Sequence, residues 1–346
     1  MNPVKACLEI SSVCNLRCSM CPSSKRGSRT NLMSPKILDR IPGEVIQELE
    51  WVNLFGVGES FLNKQWKQFA KKFYKHNCTT FVESNGMSVD FSSPSSKLPY
   101  ITQIGFSIDG FNSETNDRYR VGAKLEFIKN NIKALRGKRP YLYIRIVFCG
   151  RRSNIEEFVL MPRLCREVGA NELKFVHMVA YSKDKAEDVL FYDKDKSDAC
   201  ISAAERSCFW NNIKLSVPAG LYKPIGILKG YTGKPSCVRP EKQVFIRSDG
   251  SVKVCMLHDE VIGNLYEQDF YDIWNGERYK EFRGTVNTPN AIGLCANCPE
   301  YDSMDIMDEK AYLQFERKQN VMDEFRKHLL LISTGQCRSA SQILKS

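Results

Sequence analysis

Apolar and polar positions in the first half of the chain switch between two periods. Short β-rich runs stand at "VKACLEI" from Val4, "WVNLF" from Trp51, "TTFVE" from Thr79, "QIGFSI" from Gln103, "YLYIRIVF" from Tyr141 and "ELKFVH" from Glu172. Helically spaced stretches fall between them, at Ser34 to Glu50, Lys64 to His76, Lys124 to Leu135 and Ile155 to Val168. Ser34 before Pro35 reads as an N-cap with proline in the first turn. Gly137 and Gly169 read as helix stops, and Pro162 as a kink or break in the last helix.

Six strand–helix repeats predict parallel strands with right-handed crossovers. The fold class is therefore α/β, a partial (β/α)6 TIM-like barrel, in which chemistry gathers at the carboxyl ends of the strands. The chain places polar and glycine-rich segments there: "CNLRCSMC" after strand one, "GVGES" after two, "SNG" after three and "DG" after four. Past residue 220 the alternation stops at "PAGLYKPIGILKGYTGKPSC". "QVFIRSDGSVKVCM" then predicts a β-hairpin turning at Ser-Asp-Gly, and "DFYDIWNGERYKEFRG" a helix. These shifts divide the chain into a barrel over 1–222, a small hairpin-plus-helix domain over 223–303 and a helical extension over 304–346.

An apolar fraction of 42% and a charged fraction of 26% are those of an ordinary globular protein. No apolar run is long enough to cross a membrane, and "MNPVKACLEI" lacks the pattern of a secretory signal. The expected location is cytoplasmic, where fourteen cysteines point to metal or redox chemistry rather than disulfides. The net charge of +10 is spread over the sequence, which favours a solvated basic surface over a nucleic-acid site.

The chemistry concentrates in two cysteine sets. Cys14, Cys18 and Cys21 follow C-x3-C-x2-C, one thiolate short of the four that close a cubane cluster. Cys237, Cys255, Cys295 and Cys298 make a complete set of four, spaced C-x17-C-x39-C-x2-C, for which a structural zinc fits the ligand count equally well. C-x3-C-x2-C after the first strand of a β/α barrel resembles the radical S-adenosylmethionine (SAM) superfamily. That resemblance implies that SAM chelates the fourth iron of a [4Fe–4S] cluster and, on reductive cleavage, yields a 5′-deoxyadenosyl radical that takes hydrogen from substrate. "FGVGESFLN" resembles the family's Gly-Gly-Glu segment, giving Gly58 and Glu59; "ESNG" resembles its Thr-Asn-Gly segment, giving Asn85; "SIDG" matches its strand-four motif. By the same resemblance Glu59 meets the SAM ammonium, Ser107 and Asp109 serve its ribose or methionine end, and Arg120 its carboxylate. Met20 and Ser60 depart from the ring and the proline usual at those places. "CVRPEKQVFIRSDGSVKVCM", "IGNLYEQDFYDIWNGERYKEFRG" and "CANC" look like the SPASM/twitch extension of these enzymes. Because "PEYDSMDIMDEK" adds no cysteine, the shorter twitch form with one auxiliary [4Fe–4S] cluster is expected.

Cys149, in "VFCGRR", sits at the active-site end of strand five as a candidate hydrogen donor, with a packed strand-end thiol as the plainer reading. Cys7 reads as core, Arg145 as facing the barrel interior, and His177 as a group able to face substrate. The resemblance implies an oxidoreductase that dehydrogenates or crosslinks a peptide or a sugar-like metabolite. It also implies an electron donor such as flavodoxin or ferredoxin. A radical epimerase and a non-catalytic iron–sulfur or zinc protein are the alternatives. The chain starts at strand one, which favours a small metabolite or a peptide bound without a leader module.

Overall fold

The computed structural model describes residues 1–22, 30–217, 237–258 and 260–297. The expected helical extension over 304–346, the whole of the 218–236 passage and Cys298 lie outside them. The strands are β1 (Lys5–Leu8), β2 (Trp51–Asn53), β3 (Thr79–Ser84), β4 (Gln103–Ser107), β5 (Tyr143–Gly150), β6 (Glu172–His177), β7 (Lys214–Ser216), β8 (Gln243–Ile246), β9 (Ser251–Lys253) and β10 (Gly263–Asn264). They form one sheet in the order β10-β9-β8-β1-β2-β3-β4-β5-β6-β7. From β1 to β7 every pairing is parallel. All six strands read from the sequence are present, and β7 extends the barrel by one short strand.

The helices are α1 (Gly43–Glu48), α2 (Trp66–Tyr74), α3 (Ser113–Tyr119), α4 (Leu125–Lys138), α5 (Met161–Val168), α6 (Lys194–Asn211), α7 (Arg239–Lys242), α8 (Phe270–Trp274) and α9 (Glu277–Thr285). Three differ from the pattern reading. The stretch Ser34 to Glu50 splits into a 3-10 turn (Pro35–Arg40) and α1, because Ile41 before Pro42 is held extended at φ −99° and ψ 121°. Gly137 does not stop α4, which runs to Lys138 and ends just before Pro140, where the chain cannot continue as helix. The single helix expected over "DFYDIWNGERYKEFRG" breaks at Asn275-Gly276 into α8 and α9. Ser34 does cap its turn, Pro162 opens α5 after a separate 3-10 turn, and Gly169 ends α5 at φ +76°.

Period-two alternation sorts the strand residues onto two faces. On β5, Ile144, Ile146 and Phe148 are fully buried toward the helices. Phe148 and Phe175 pack there on Phe158, with ring centroids 5.1 and 4.8 Å from it. Burying one such ring contributes about 1.5–3 kcal/mol. The alternate residues Arg145, Val147 and Cys149 face the barrel interior, where Arg145 Nη2 pairs with Glu172 Oε2 at 2.9 Å and its guanidinium lies 5.0 Å from the Phe81 ring centre. Tyr143 OH and Ser216 Oγ also donate to Glu172, at 2.9 and 2.6 Å, so β5, β6 and β7 are tied together at the barrel floor.

The hairpin β8–β9 is antiparallel and turns at Gly250, whose φ is +82°. Its first strand pairs in parallel with β1, Lys5 to Gln243 through Leu8 to Ile246. The hairpin thus extends the barrel sheet itself.

Candidate active site

A cavity of about 710 Å³ opens at the carboxyl ends of the strands. Cys14, Cys18, Cys21 and Met20 form one wall; Glu83, Lys174 and His177 face it from β3 and β6; Arg239 and Met256 close it from the segment around the hairpin.

The cysteine loop is held from two sides. Ser19 N–H donates to Tyr119 O at 2.8 Å and Arg17 N–H to Val121 O at 2.9 Å, fastening it to the end of α3. Glu59 N–H donates to Val13 O at 2.7 Å, drawing the loop after β2 against it. A Cβ on Gly58 would stand 2.4 Å from Ser11 O and 2.6 Å from Val13 O, so only glycine permits this approach. Burial pushes the Cys14 thiol up, and pushes Cys18 up to about 11 against the pull of the Arg120 guanidinium. Among the described residues no three His, Cys, Asp or Glu side chains stand close enough to chelate a single metal ion. A cubane is wider than one ion and holds its thiolates further apart.

Glu59 is 2% exposed yet lines the cavity. Its carboxylate accepts from Ser84 Oγ at 2.9 Å, Asn85 N–H at 2.8 Å and Phe61 N–H at 3.3 Å, while burial pushes its pKa up. Asn85 turns its side-chain amide toward the cysteine loop, donating to Asn15 Oδ1 at 2.8 Å and to Cys14 Sγ at 3.8 Å. Ser107 and Arg120 line the cavity.

Asp109 does not line it. This residue is fully buried, with Oδ2 2.9 Å from Arg120 Nε and 3.6 Å from Arg151 Nη2, and with Oδ1 accepting from Cys149 N–H at 2.8 Å. Asn116 Oδ1 accepts from Asp109 N–H at 3.0 Å, and Asn154 Nδ2 donates to Asp109 O at 2.9 Å. Asp109 thus aims Arg120 into the cavity from behind. Cys149 does face the cavity, and burial pushes its thiol up to about 12. Cys7 is 2% exposed, as a core residue should be, although its side chain also borders the cavity floor.

Sequence reasoning missed Arg151, which follows β5 in "VFCGRR". Its guanidinium is buried, stacks 4.0 Å from the Tyr119 ring centre and reaches Ser19 Oγ at 3.4 Å. The signal was available, because an arginine directly after an interior-facing strand end needs a buried counter-charge. Of the second cysteine set, Cys237 precedes α7, Cys255 follows β9, and Cys295 lies in a 3-10 turn over Gly293–Asn297. Asn287 brackets Cys237, its Oδ1 accepting from Cys237 N–H at 2.7 Å and its Nδ2 donating to Cys237 O at 3.2 Å.

A family model for the radical SAM superfamily matches residues 8–165, and one for the SPASM iron–sulfur cluster-binding domain matches residues 237–299. The tungsten-containing aldehyde ferredoxin oxidoreductase cofactor-modifying protein of Pyrococcus furiosus is 23% identical, covering 87% of this chain and 88% of its own. Among solved structures, anSMEcpe with bound AdoMet and Cp18Cys peptide superposes with a TM-score of 0.64 at 18% identity, over 96% of this chain and 98% of that one. SuiB of Streptococcus suis bound to SAM gives 0.62 at 15% identity, over 82% and 68%. The three cavity-facing thiols, the Gly58 approach and the buried Glu59 fit a SAM-bearing cluster: soft donors for iron, with a carboxylate beside them for a cationic ligand. Matched family models at both cysteine sets, on a barrel with this cavity, identify the chain as a radical SAM enzyme with a SPASM-type domain, one that uses SAM on a [4Fe–4S] cluster and carries auxiliary iron–sulfur chemistry.

Proposed function

We propose that this enzyme oxidises a peptide, removing hydrogen from a carbon held in the cavity. One observation carries this reading: the cavity wall is shared. Cys14, Cys18 and Cys21 form one side, while Arg239, Gln243, Met256 and Leu257, which lie between or beside Cys237 and Cys255, form the other. A substrate carbon there lies between the two iron–sulfur regions. When bound, SAM with its cluster supplies hydrogen abstraction from carbon, and one auxiliary cluster at Cys237, Cys255, Cys295 and Cys298 supplies an acceptor for the electron left behind.

The chain's own residues do the rest. Glu59 receives the ammonium of SAM and Arg120, aimed by Asp109, its carboxylate, with Gly58, Asn85 and Ser107 shaping the same wall. Glu83, Lys174 and His177 offer hydrogen-bonding groups to peptide amides. The proton released as the substrate is oxidised needs an acceptor, and His177 lines the same cavity. Peptide is preferred over a small metabolite because two structures of the same fold are described with peptides bound, anSMEcpe with Cp18Cys and SuiB with SuiA. A low-potential donor of the flavodoxin or ferredoxin type supplies the priming electron, in the reducing cytoplasm that suits exposed clusters.

The test is anaerobic turnover against a peptide library, read by mass spectrometry. A product about 2 Da lighter, with matching 5′-deoxyadenosine, supports the reading; turnover only on a metallocofactor or sugar overturns the peptide assignment. A second reading, epimerisation, is favoured by Cys149, a thiol kept protonated at neutral pH and facing the cavity. Deuterium gained from solvent at a substrate carbon, and lost in Cys149→Ala, would establish that reading.

A further inference from the structure

We propose that Asn85 is a positioning residue for the SAM-binding cluster, raising its reduction potential by donating a side-chain hydrogen bond to the ligand sulfur of Cys14. The proposal rests on Cys14, Cys18 and Cys21 being that cluster's ligands. Hydrogen bonds to the sulfurs, solvent exposure and net charge set such potentials, because a donor stabilises the extra negative charge of the reduced cluster.

Two donors converge on Cys14 Sγ: Leu16 N–H at 3.4 Å and Asn85 Nδ2 at 3.8 Å. The backbone donor is a property of the loop, whereas the second depends on one side chain from another strand. Its direction is fixed. Met87 N–H, which can only donate, points 2.9 Å to Asn85 Oδ1, so the amide nitrogen must face the opposite way. There it meets Asn15 Oδ1 at 2.8 Å and Cys14 Sγ. Asn85 is 7% exposed, so water does not compete strongly for this amide. Its backbone N–H is occupied separately by Glu59 at 2.8 Å. One residue at the end of β3 therefore ties the Glu59 loop to the cysteine loop through its backbone and addresses a ligand sulfur through its side chain.

The substitution Asn85→Asp separates tuning from tethering. Its carboxylate still accepts from Met87 N–H, and Asn15 can turn its amide to donate across the same gap. The donor to sulfur, however, is replaced by a negative oxygen. The reconstituted holoenzyme is titrated anaerobically and read by electron paramagnetic resonance, with iron content measured in parallel. Asn85→Asp is expected to keep its iron and lower the reduced-to-oxidised ratio of the SAM-binding cluster about tenfold at a fixed poise, a shift of about 59 mV for one electron. Asn85→Ala, which removes the donor without adding charge, is expected to shift the same way by less. The auxiliary cluster serves as the internal reference and should not move. An unchanged potential in Asn85→Asp, an equal shift of both clusters, or loss of the first cluster from both variants would overturn the proposal. A parent protein that forms no SAM-binding cluster at all would instead overturn the functional reading beneath it.

Discussion

At the scale of single residues, Asp109 organises the site from behind the cavity wall, without lining the cavity itself. Two guanidiniums and one backbone N–H converge on its fully buried carboxylate. Removing one member of such a set leaves buried charge uncompensated, which costs about 3–5 kcal/mol. Asp109→Asn is therefore expected to lower the urea-unfolding free energy by that amount and to weaken SAM binding, since Arg120 loses its brace. Equilibrium unfolding and SAM titration check the two effects. Cys149→Ala should behave differently, leaving SAM cleavage intact because its thiol braces nothing; cleavage lost with Cys149→Ala would contradict that.

At the scale of elements, the approach of the β2 loop to the cysteine loop depends on Gly58. Backbone atoms of Ser11, Ser12 and Val13 fill the space a Cβ would need, and backbone cannot move aside cheaply. Gly58→Ala should fold but lose the SAM-binding cluster, dropping reconstituted iron from about eight to about four per chain. On the barrel floor, burial pushes Glu172 up, but Ser216, Arg145 and Tyr143 outweigh it and hold the carboxyl below the usual range. A depressed folded pKa contributes stability above the unfolded value, about 4.3, that is lost as pH falls through the folded one. Below about pH 4.3 the parent protein should thus weaken more steeply than Glu172→Gln, as urea midpoints across that window would show. Six strands were legible because "YLYIRIVF" and its counterparts alternate cleanly. Helix ends were not: proline geometry at Ile41-Pro42 and Arg139-Pro140 overrode the apolar period, and Gly137 was tolerated inside α4. The site was legible as a set of strand-end motifs. That Asp109 braces Arg120 from behind the wall was not, because depth is invisible along a chain.

At the scale of the whole molecule, the two cysteine sets are joined by one continuous sheet. Replacing Cys237, Cys255 and Cys298 together by serine should remove only the auxiliary cluster: about four irons should remain, SAM cleavage should persist, and oxidised product should vanish. Persistence of product would argue against the auxiliary cluster as electron acceptor. Among the described residues, no helix is long and apolar enough to cross a membrane.

The pairing of β1 with β8 also sets a schedule for biosynthesis. Lys5 waits for Gln243, so β1 leaves the ribosome roughly 240 residues before its second neighbour. At 5–20 residues per second, about 12–50 s pass with that strand edge bare. A nascent barrel in this interval presents an open edge to any other chain, while the cysteine loop beside β1 lacks the wall that Arg239 and Met256 later supply. The same delay that leaves the β1 edge open to aggregation also leaves the cysteine loop uncovered on the side that Arg239 and Met256 later close.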